Sequence, residues 1–168
     1  MPPQRKERIF IIDDEAVTVR RLTHALRHDG YEVEGFVTGR EAVAQVEEAP
    51  PDLIVMDIRL QDADGLDLMQ RFQATAPETA VILITGYASI EQAVAATKKG
   101  AFHYLEKPFR LQDLRGTIRE ALLHQQQERQ KDRLQEELID LVDKTSIGTR
   151  KTFMIEVEHS EPEAIAQA

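Results

Sequence analysis

The sequence predicts an α/β domain: a five-stranded parallel sheet in the order 2-1-3-4-5, with helices on both faces and a helical extension at the C-terminal end. Three observations carry this. Five short apolar runs, at 9–12, 32–37, 53–56, 80–84 and 101–105, alternate with amphipathic helical patterns at 17–28, 39–48, 66–75 and 90–99. The connections between them are short, which suits right-handed crossovers in a doubly wound sheet. Turn pairs fall where elements should stop or start: Asp29-Gly30, Pro50-Pro51, Asp64-Gly65 and Lys99-Gly100.

Taken in order, the first run, Phe10-Ile11-Ile12, ends in the acid pair Asp13-Asp14. The helix that follows stops at Asp29-Gly30, and the second run leads to a helix that stops before Pro50-Pro51. The third run, Leu53-Ile54-Val55-Met56, ends in Asp57, and its helix opens after Asp64-Gly65. The fourth, Val81-Ile82-Leu83-Ile84, ends in Thr85; the fifth, Phe102-His103-Tyr104-Leu105, leads into Lys107-Pro108. A last helix begins after Phe109, with a stripe of Leu111, Leu114, Ile118 and Leu122. A second stripe, Leu134, Leu138 and Leu141, follows a wholly polar stretch at 124–133 and is out of clean heptad register with the first. It reads equally as a dimer seam or as a helix docked on the core. The expected division is a domain over 1–124, a helical spacer or coiled coil over 125–143 that continues the last domain helix, and a short, acidic, poorly ordered tail over 144–168, in which 152–157 has the pattern of a short strand.

Composition narrows the function classes. With 168 residues, 42% of them hydrophobic, the chain has room for one ordinary domain and an extension. Its net charge is −9, and residues 111–168 hold eight Lys/Arg against twelve Asp/Glu, so neither the whole nor the tail suits nucleic acid. Without cysteine there are no disulfides, thiolate zinc sites or cysteine nucleophiles. The polar N-terminus has no signal-peptide core, and no stretch approaches the ~18–20 apolar residues of a membrane span, so a cytoplasmic location without membrane contact is expected.

A buried strand that ends in a carboxylate delivers that charge to the carboxyl edge of the sheet, where sites in open α/β sheets are built. Asp13, Asp14 and Asp57 would crowd three carboxylates there, which is costly unless a cation or proton neutralises them. Magnesium wants such hard oxygen ligands and keeps waters in its remaining positions. Asp57, alone at its strand end, is the candidate nucleophile, and a carboxylate is a competent phosphoryl acceptor. Lys107 would place an ammonium on a phosphoryl oxygen, and Thr85 a hydroxyl on another. Pro108 suggests a fixed turn, with a cis bond as a candidate, that aims the lysine inward.

At these residues the chain resembles the receiver domains of two-component response regulators, over roughly residues 8–125. The matching segments are FIIDDE (10–15), LIVMDIRL (53–60), DGLDLM (64–69), VILITGYASIEQAVAATKKGA (81–101) and FHYLEKPF (102–109). Within that family it is most similar to the NtrC-type receivers that precede σ54-dependent activators. The resemblance implies a CheY-like, flavodoxin-like fold with Asp57 as phosphoacceptor. It implies Mg2+, or Mn2+ in its place, on Asp14, Asp57 and the Arg59 carbonyl, with Asp13 acting through water. Thr85 and Tyr104 would be the switch pair and Lys107 the phosphate partner. The implied donor is a sensor histidine kinase or a phosphotransfer protein, the output is homodimerisation on phosphorylation, and a downstream protein could engage the C-terminal helix. Such a domain signals, assisting only its own phosphorylation and dephosphorylation.

The chain departs from the family where Pro-Gly is common after the phosphoacceptor and Gln61-Asp62 stands instead, so a more mobile and more acidic loop is expected. Arg59 and Tyr87 occupy positions that tune phosphoryl lifetime in the family. No GxxxxGK loop and no helix-turn-helix is evident after the domain. Plainer readings compete residue by residue. The acid pair could cap the first helix, Thr85 could form a strand-end turn, and Tyr104 could be a sheet aromatic. His24 and His28 share a helix face but have no third ligand, and His103 reads as structural. Two other functions fit less well: a receiver-shaped scaffold indifferent to phosphorylation, and a phosphate-ester hydrolase. The hydrolase usually needs a second acid two residues after its nucleophile, where this chain has Arg59.

Overall fold

The computed structural model describes residues 4–86 and 90–145. Tyr87, the expected strand at 152–157 and nearly all of the expected tail lie outside the described residues. Five strands, β1 (Arg8–Ile12), β2 (Glu32–Phe36), β3 (Leu53–Asp57), β4 (Ala80–Thr85) and β5 (His103–Glu106), form one sheet in the order β2-β1-β3-β4-β5, as expected. Every neighbouring pair is parallel. Helices α1 (Ala16–His28), α2 (Gly39–Glu48), α3 (Gly65–Thr75), α4 (Ile90–Lys98) and α5 (Leu111–Thr145) alternate with them.

Side chains alternate along each strand, so each strand contributes to two cores. Phe10 and Ile12, Ile54 and Met56, and Val81 and Leu83 face the layer holding Val46 of α2, Phe72 of α3 and Ala96 of α4. Ile9 and Ile11, Leu53 and Val55, and Ile82 and Ile84 face Leu22 and Leu26 of α1 and Leu114 and Ile118 of α5. β3, at the centre, is buried along its whole length, which explains a continuous apolar run rather than an alternating one.

The fifth strand starts later than its apolar pattern suggests. The Ala101 N–H closes α4 by donating to Ala96 O, so residues 101–102 serve as a connection. The acid pair does not cap α1: Glu15 is the N-cap residue, and its side chain makes no capping hydrogen bond. Asp64 does cap α3, accepting from Leu66 N at 2.7 Å. Gly65, the first residue of α3, is pressed against the end of β3 and donates its N–H to Ile58 O at 2.8 Å. A Cβ there would lie 2.6 Å from Ile58 Cα and 2.9 Å from Asp57 O, so only glycine lets the helix begin this close to the strand.

The chain separates into two units between Gln125 and Gln126. Within the first, Gln125 is buried although it belongs to the polar stretch at 124–133, and its side-chain amide donates to Asp52 O at 2.7 Å and to Glu78 O. It ties α5 to the amino-terminal ends of β3 and β4. In the second, the described residues are helical, and Leu134, Leu138, Ile139, Leu141 and Val142 are exposed. Among the described residues, no helix is long and apolar enough to cross a membrane.

Candidate functional site

The carboxyl edge of the sheet gathers what the strand ends carry. Asp57 is the last residue of β3 and pairs in register with Ile84, which places Thr85 one step beyond it on β4. Thr85 in turn pairs with Glu106, so Lys107 leaves β5 at the same level. Asp13 and Asp14 follow β1 directly. Asp13 is 3% exposed, Asp57 9% and Thr85 not at all.

Lys107 ties the cluster together. Its Nζ lies 3.0 Å from Asp13 Oδ2 and 2.9 Å from Asp57 Oδ2. The other oxygens of the two aspartates are engaged locally: Asp57 Oδ1 accepts from Arg59 N at 2.9 Å, and Asp13 Oδ1 from Glu15 N at 2.9 Å. Each side chain is thereby held at both ends of its carboxylate. The lysine is anchored through its backbone, whose N–H donates to Thr85 O at 2.7 Å, and the Lys107–Pro108 bond is cis.

Electrostatics follow from burial and pairing. Burial lifts the Asp13 carboxyl above the usual carboxylate range, against the lowering effect of the Glu15 N–H and the Lys107 ammonium. For Lys107, burial works against the charge, but hydrogen bonds to Asp57 and Asp13 outweigh it and hold the amine above its ordinary value. The cluster keeps a cation where its carboxylates converge.

Asp13, Asp14 and Asp57 each offer an oxygen, and these oxygens lie within 4.8 Å of one another. Three carboxylates, without nitrogen or sulfur, form the donor set of a hard divalent cation, so the residues fit Mg2+ by their chemistry. The Arg59 carbonyl stands in the loop immediately after β3; the Arg59 side chain is exposed. A cleft of about 420 Å³, lined by Glu15, Thr18, Arg21, Lys107, Pro108 and Phe109, opens beside the lysine.

Tyr104 lies apart from the charged cluster. It pairs with Leu83, two residues before Thr85, so Tyr104 and Thr85 share one face of the sheet. The ring packs against the core layer of α2, α3 and α4, and its hydroxyl is buried without a hydrogen-bond partner among the described residues. His24 and His28 are exposed, and among the described residues they belong to no group of three metal-ligating side chains. His103 is exposed, and its Nδ1 accepts from the Tyr104 N–H.

The loop after the phosphoacceptor position differs from expectation in what its acid does. Asp62, expected in a mobile loop, has both carboxylate oxygens bonded to the start of α2: Gly39 N at 2.9 Å and Arg40 N at 3.0 Å. The signal available was the acid itself, standing where Pro-Gly is common.

The family model described as the response regulator receiver domain matches residues 9–119. The transcriptional regulatory protein ZraR of Escherichia coli K12 is 37% identical over 116 residues, covering 69% of this chain and 26% of ZraR. The acid tolerance regulatory protein ActR of Rhizobium meliloti is 37% identical over 106 residues, covering 63% of this chain and 55% of ActR. Among solved structures, a CheY-like receiver from Methanospirillum hungatei superimposes with a TM-score of 0.72 at 35% identity, covering 74% of this chain and 99% of that one. The beryllofluoride-activated NtrC4 receiver domain dimer gives 0.68 at 35% identity, covering 70% and 98%. The chain spans about a quarter of the length of ZraR and of another relative, the regulatory protein AtoC of Escherichia coli K12. The motifs, the sheet order and these matches agree: the chain belongs to the response-regulator receiver family.

Proposed function

We propose that the domain accepts a phosphoryl group on Asp57 from the phosphohistidine of a sensor kinase or phosphotransfer protein, and that it passes the change on through Thr85, Tyr104 and α5. The observation that carries this reading is the convergence of Asp13, Asp14 and Asp57 with the Lys107 ammonium at one strand edge. A buried acid cluster with a built-in cation costs stability, and phosphoryl capture gives it a use.

A carboxylate oxygen of Asp57 attacks phosphorus, the P–N bond to the donor imidazole breaks, and the imidazole keeps the electron pair. Lys107 is placed to follow the charge, exchanging a carboxylate contact for a phosphoryl oxygen. Mg2+, or Mn2+ in its place, would be held by Asp13, Asp14, Asp57 and the Arg59 carbonyl and would neutralise the incoming dianion. The Asp13 contribution runs through water in this reading. Water later attacks the acyl phosphate and resets the domain.

The added charge draws the Thr85 hydroxyl towards a phosphoryl oxygen, and Tyr104, on the same face, repacks into the space released. The Tyr104 hydroxyl, buried and without a hydrogen-bond partner among the described residues, favours a side chain with more than one resting place. The surface affected is that of α4, β5 and the first turns of α5, which gives dimerisation as output. In this reading the receiver occupies 1–124, the segment 125–143 is its helical spacer, and a downstream protein is a further partner for that helix.

Light scattering with Mg2+, with and without beryllofluoride, tests the output. The wild-type chain is expected to shift from monomer to dimer, and Asp57→Asn to stay monomeric. An unchanged mass in the wild type would sink dimerisation as the output and leave the helix to a partner; only a domain that takes no phosphoryl group leaves the scaffold reading in its place.

A further inference from the structure

The loop between β3 and α3 carries the Arg59 carbonyl, and it is fixed at more than its two ends. Arg59 and Asp64 form an antiparallel bridge, Leu60 N donates to Ala63 O at 3.3 Å, and Gly65 N donates to Ile58 O at 2.8 Å. These contacts fold residues 58–65 into a small hairpin with Gln61 and Asp62 at its tip. A hairpin this short has no core of its own, and its tip would swing if nothing held it.

Asp62 supplies the hold. One oxygen accepts from Gly39 N at 2.9 Å and the other from Arg40 N at 3.0 Å, the first two N–H groups of α2. Thr38 Oγ1 accepts from Glu41 N at 3.2 Å, so the N–H groups of the first three residues of α2 are all satisfied, and Ala42 N makes the first intrahelical bond, to Thr38 O at 3.4 Å. The Gly39 N–H, more than anything else nearby, keeps the Asp62 carboxyl below its usual range, as expected for an anion at a helix N-terminus. Pro-Gly at this place has no side chain that can do this.

We propose that Asp62 is a positioning residue for the metal: by clamping the hairpin tip to α2 it fixes the segment that presents the Arg59 carbonyl, and so sets the affinity for Mg2+. This inference rests on the metal site proposed above. Arg59 is held on one side by its N–H bond to Asp57 Oδ1, at 2.9 Å, and on the other by a hairpin whose tip is bonded to the start of α2. Groups that orient a ligand commonly change metal affinity when lost, by roughly 10–100-fold where they bond the ligand directly. Asp62 acts through the loop, so the lower end applies.

The test compares Mg2+ binding by calorimetry in the wild type, Asp62→Ala, Asp62→Asn and Thr38→Ala, well below their melting temperatures. Asp62→Ala is expected to weaken Mg2+ by about tenfold. Asp62→Asn, which keeps one accepting oxygen, should fall between, and serves if the alanine variant folds poorly. Thr38→Ala removes a cap from the same helix without freeing the loop; it should lower the melting temperature and leave Mg2+ affinity unchanged. Labelling of Asp62→Ala by acetyl phosphate should need more Mg2+ and recover at saturation. Wild-type affinity in Asp62→Ala despite a lowered melting temperature would make Asp62 a helix cap only and overturn the proposal. No Mg2+ binding in the wild type would overturn the metal site itself, and the tether with it.

Discussion

Gly65→Ala probes how closely the domain is built around Asp57. The added Cβ would sit 2.6 Å from Ile58 Cα, 2.7 Å from Ile58 O and 2.9 Å from Asp57 O. All three are backbone atoms of the strand end, so no side chain can swing aside. Restoring contact at about 3.4 Å requires α3 to retreat by roughly 0.8 Å at its first turn, which stretches the 2.8 Å bond from Gly65 N to Ile58 O. Overpacking of this kind costs about 1–3 kcal/mol and the weakened hydrogen bond about 1 kcal/mol more. A total of about 2–4 kcal/mol, at roughly 3–5 °C per kcal/mol for a unit of this size, lowers the melting temperature by roughly 6–20 °C. Circular dichroism melts measure it. Gly116→Ala is the control: it lies in α5 with nothing closer than the Arg119 guanidinium at 4.0 Å, so the same exchange should stabilise by about 0.5–1 kcal/mol through helix propensity. If both variants melt together, the close approach at Gly65 does not constrain the site and the reasoning fails.

Other perturbations address the cation and the helix. In metal-free Lys107→Met, Asp13 and Asp57 lose their counter-charge, at a cost of about 1–2 kcal/mol once the 25% exposure of the lysine side chain is allowed for. Because pairing raises the folded-state value of Lys107 above 10.5, its stabilisation is complete below that pH and is lost as pH rises through the folded value. Urea midpoints of wild type and variant should therefore converge in strong alkali; a constant gap would deny the pairing its role. Gln125→Ala removes the amide that reaches Asp52 O and Glu78 O, and should cost about 1–2 kcal/mol by urea unfolding, with faster hydrogen exchange in α5 around 118–125. Exchange unchanged there would show that the apolar stripe alone holds the helix.

The parts of the molecule that were legible in the sequence are those set by local pattern. Apolar runs gave the strands, and their terminal residues named Asp13, Asp57, Thr85 and Lys107, because a strand delivers its last side chain to a known edge. Asp62 and Gln125 were not legible for the opposite reason. Each is a polar residue in a polar stretch, and its partner lies far along the chain: Gly39 for one, Asp52 and Glu78 for the other. Nothing in periodicity reports such a bond. An acid pair before a helix is usually a cap; what favoured the site over that plainer reading was the company of Asp57, Thr85 and Lys107, and Asp13 does turn to the lysine.

Everything proposed for this site turns on Asp57 as the phosphoacceptor. Intact-mass spectrometry of the chain after incubation with acetyl phosphate and Mg2+, followed by peptide mapping, addresses it directly. One added phosphoryl group is expected on the peptide containing Asp57, absent without Mg2+ and absent in folded Asp57→Asn. Labelling that persists in Asp57→Asn, or that maps to another residue in the wild type, would contradict it.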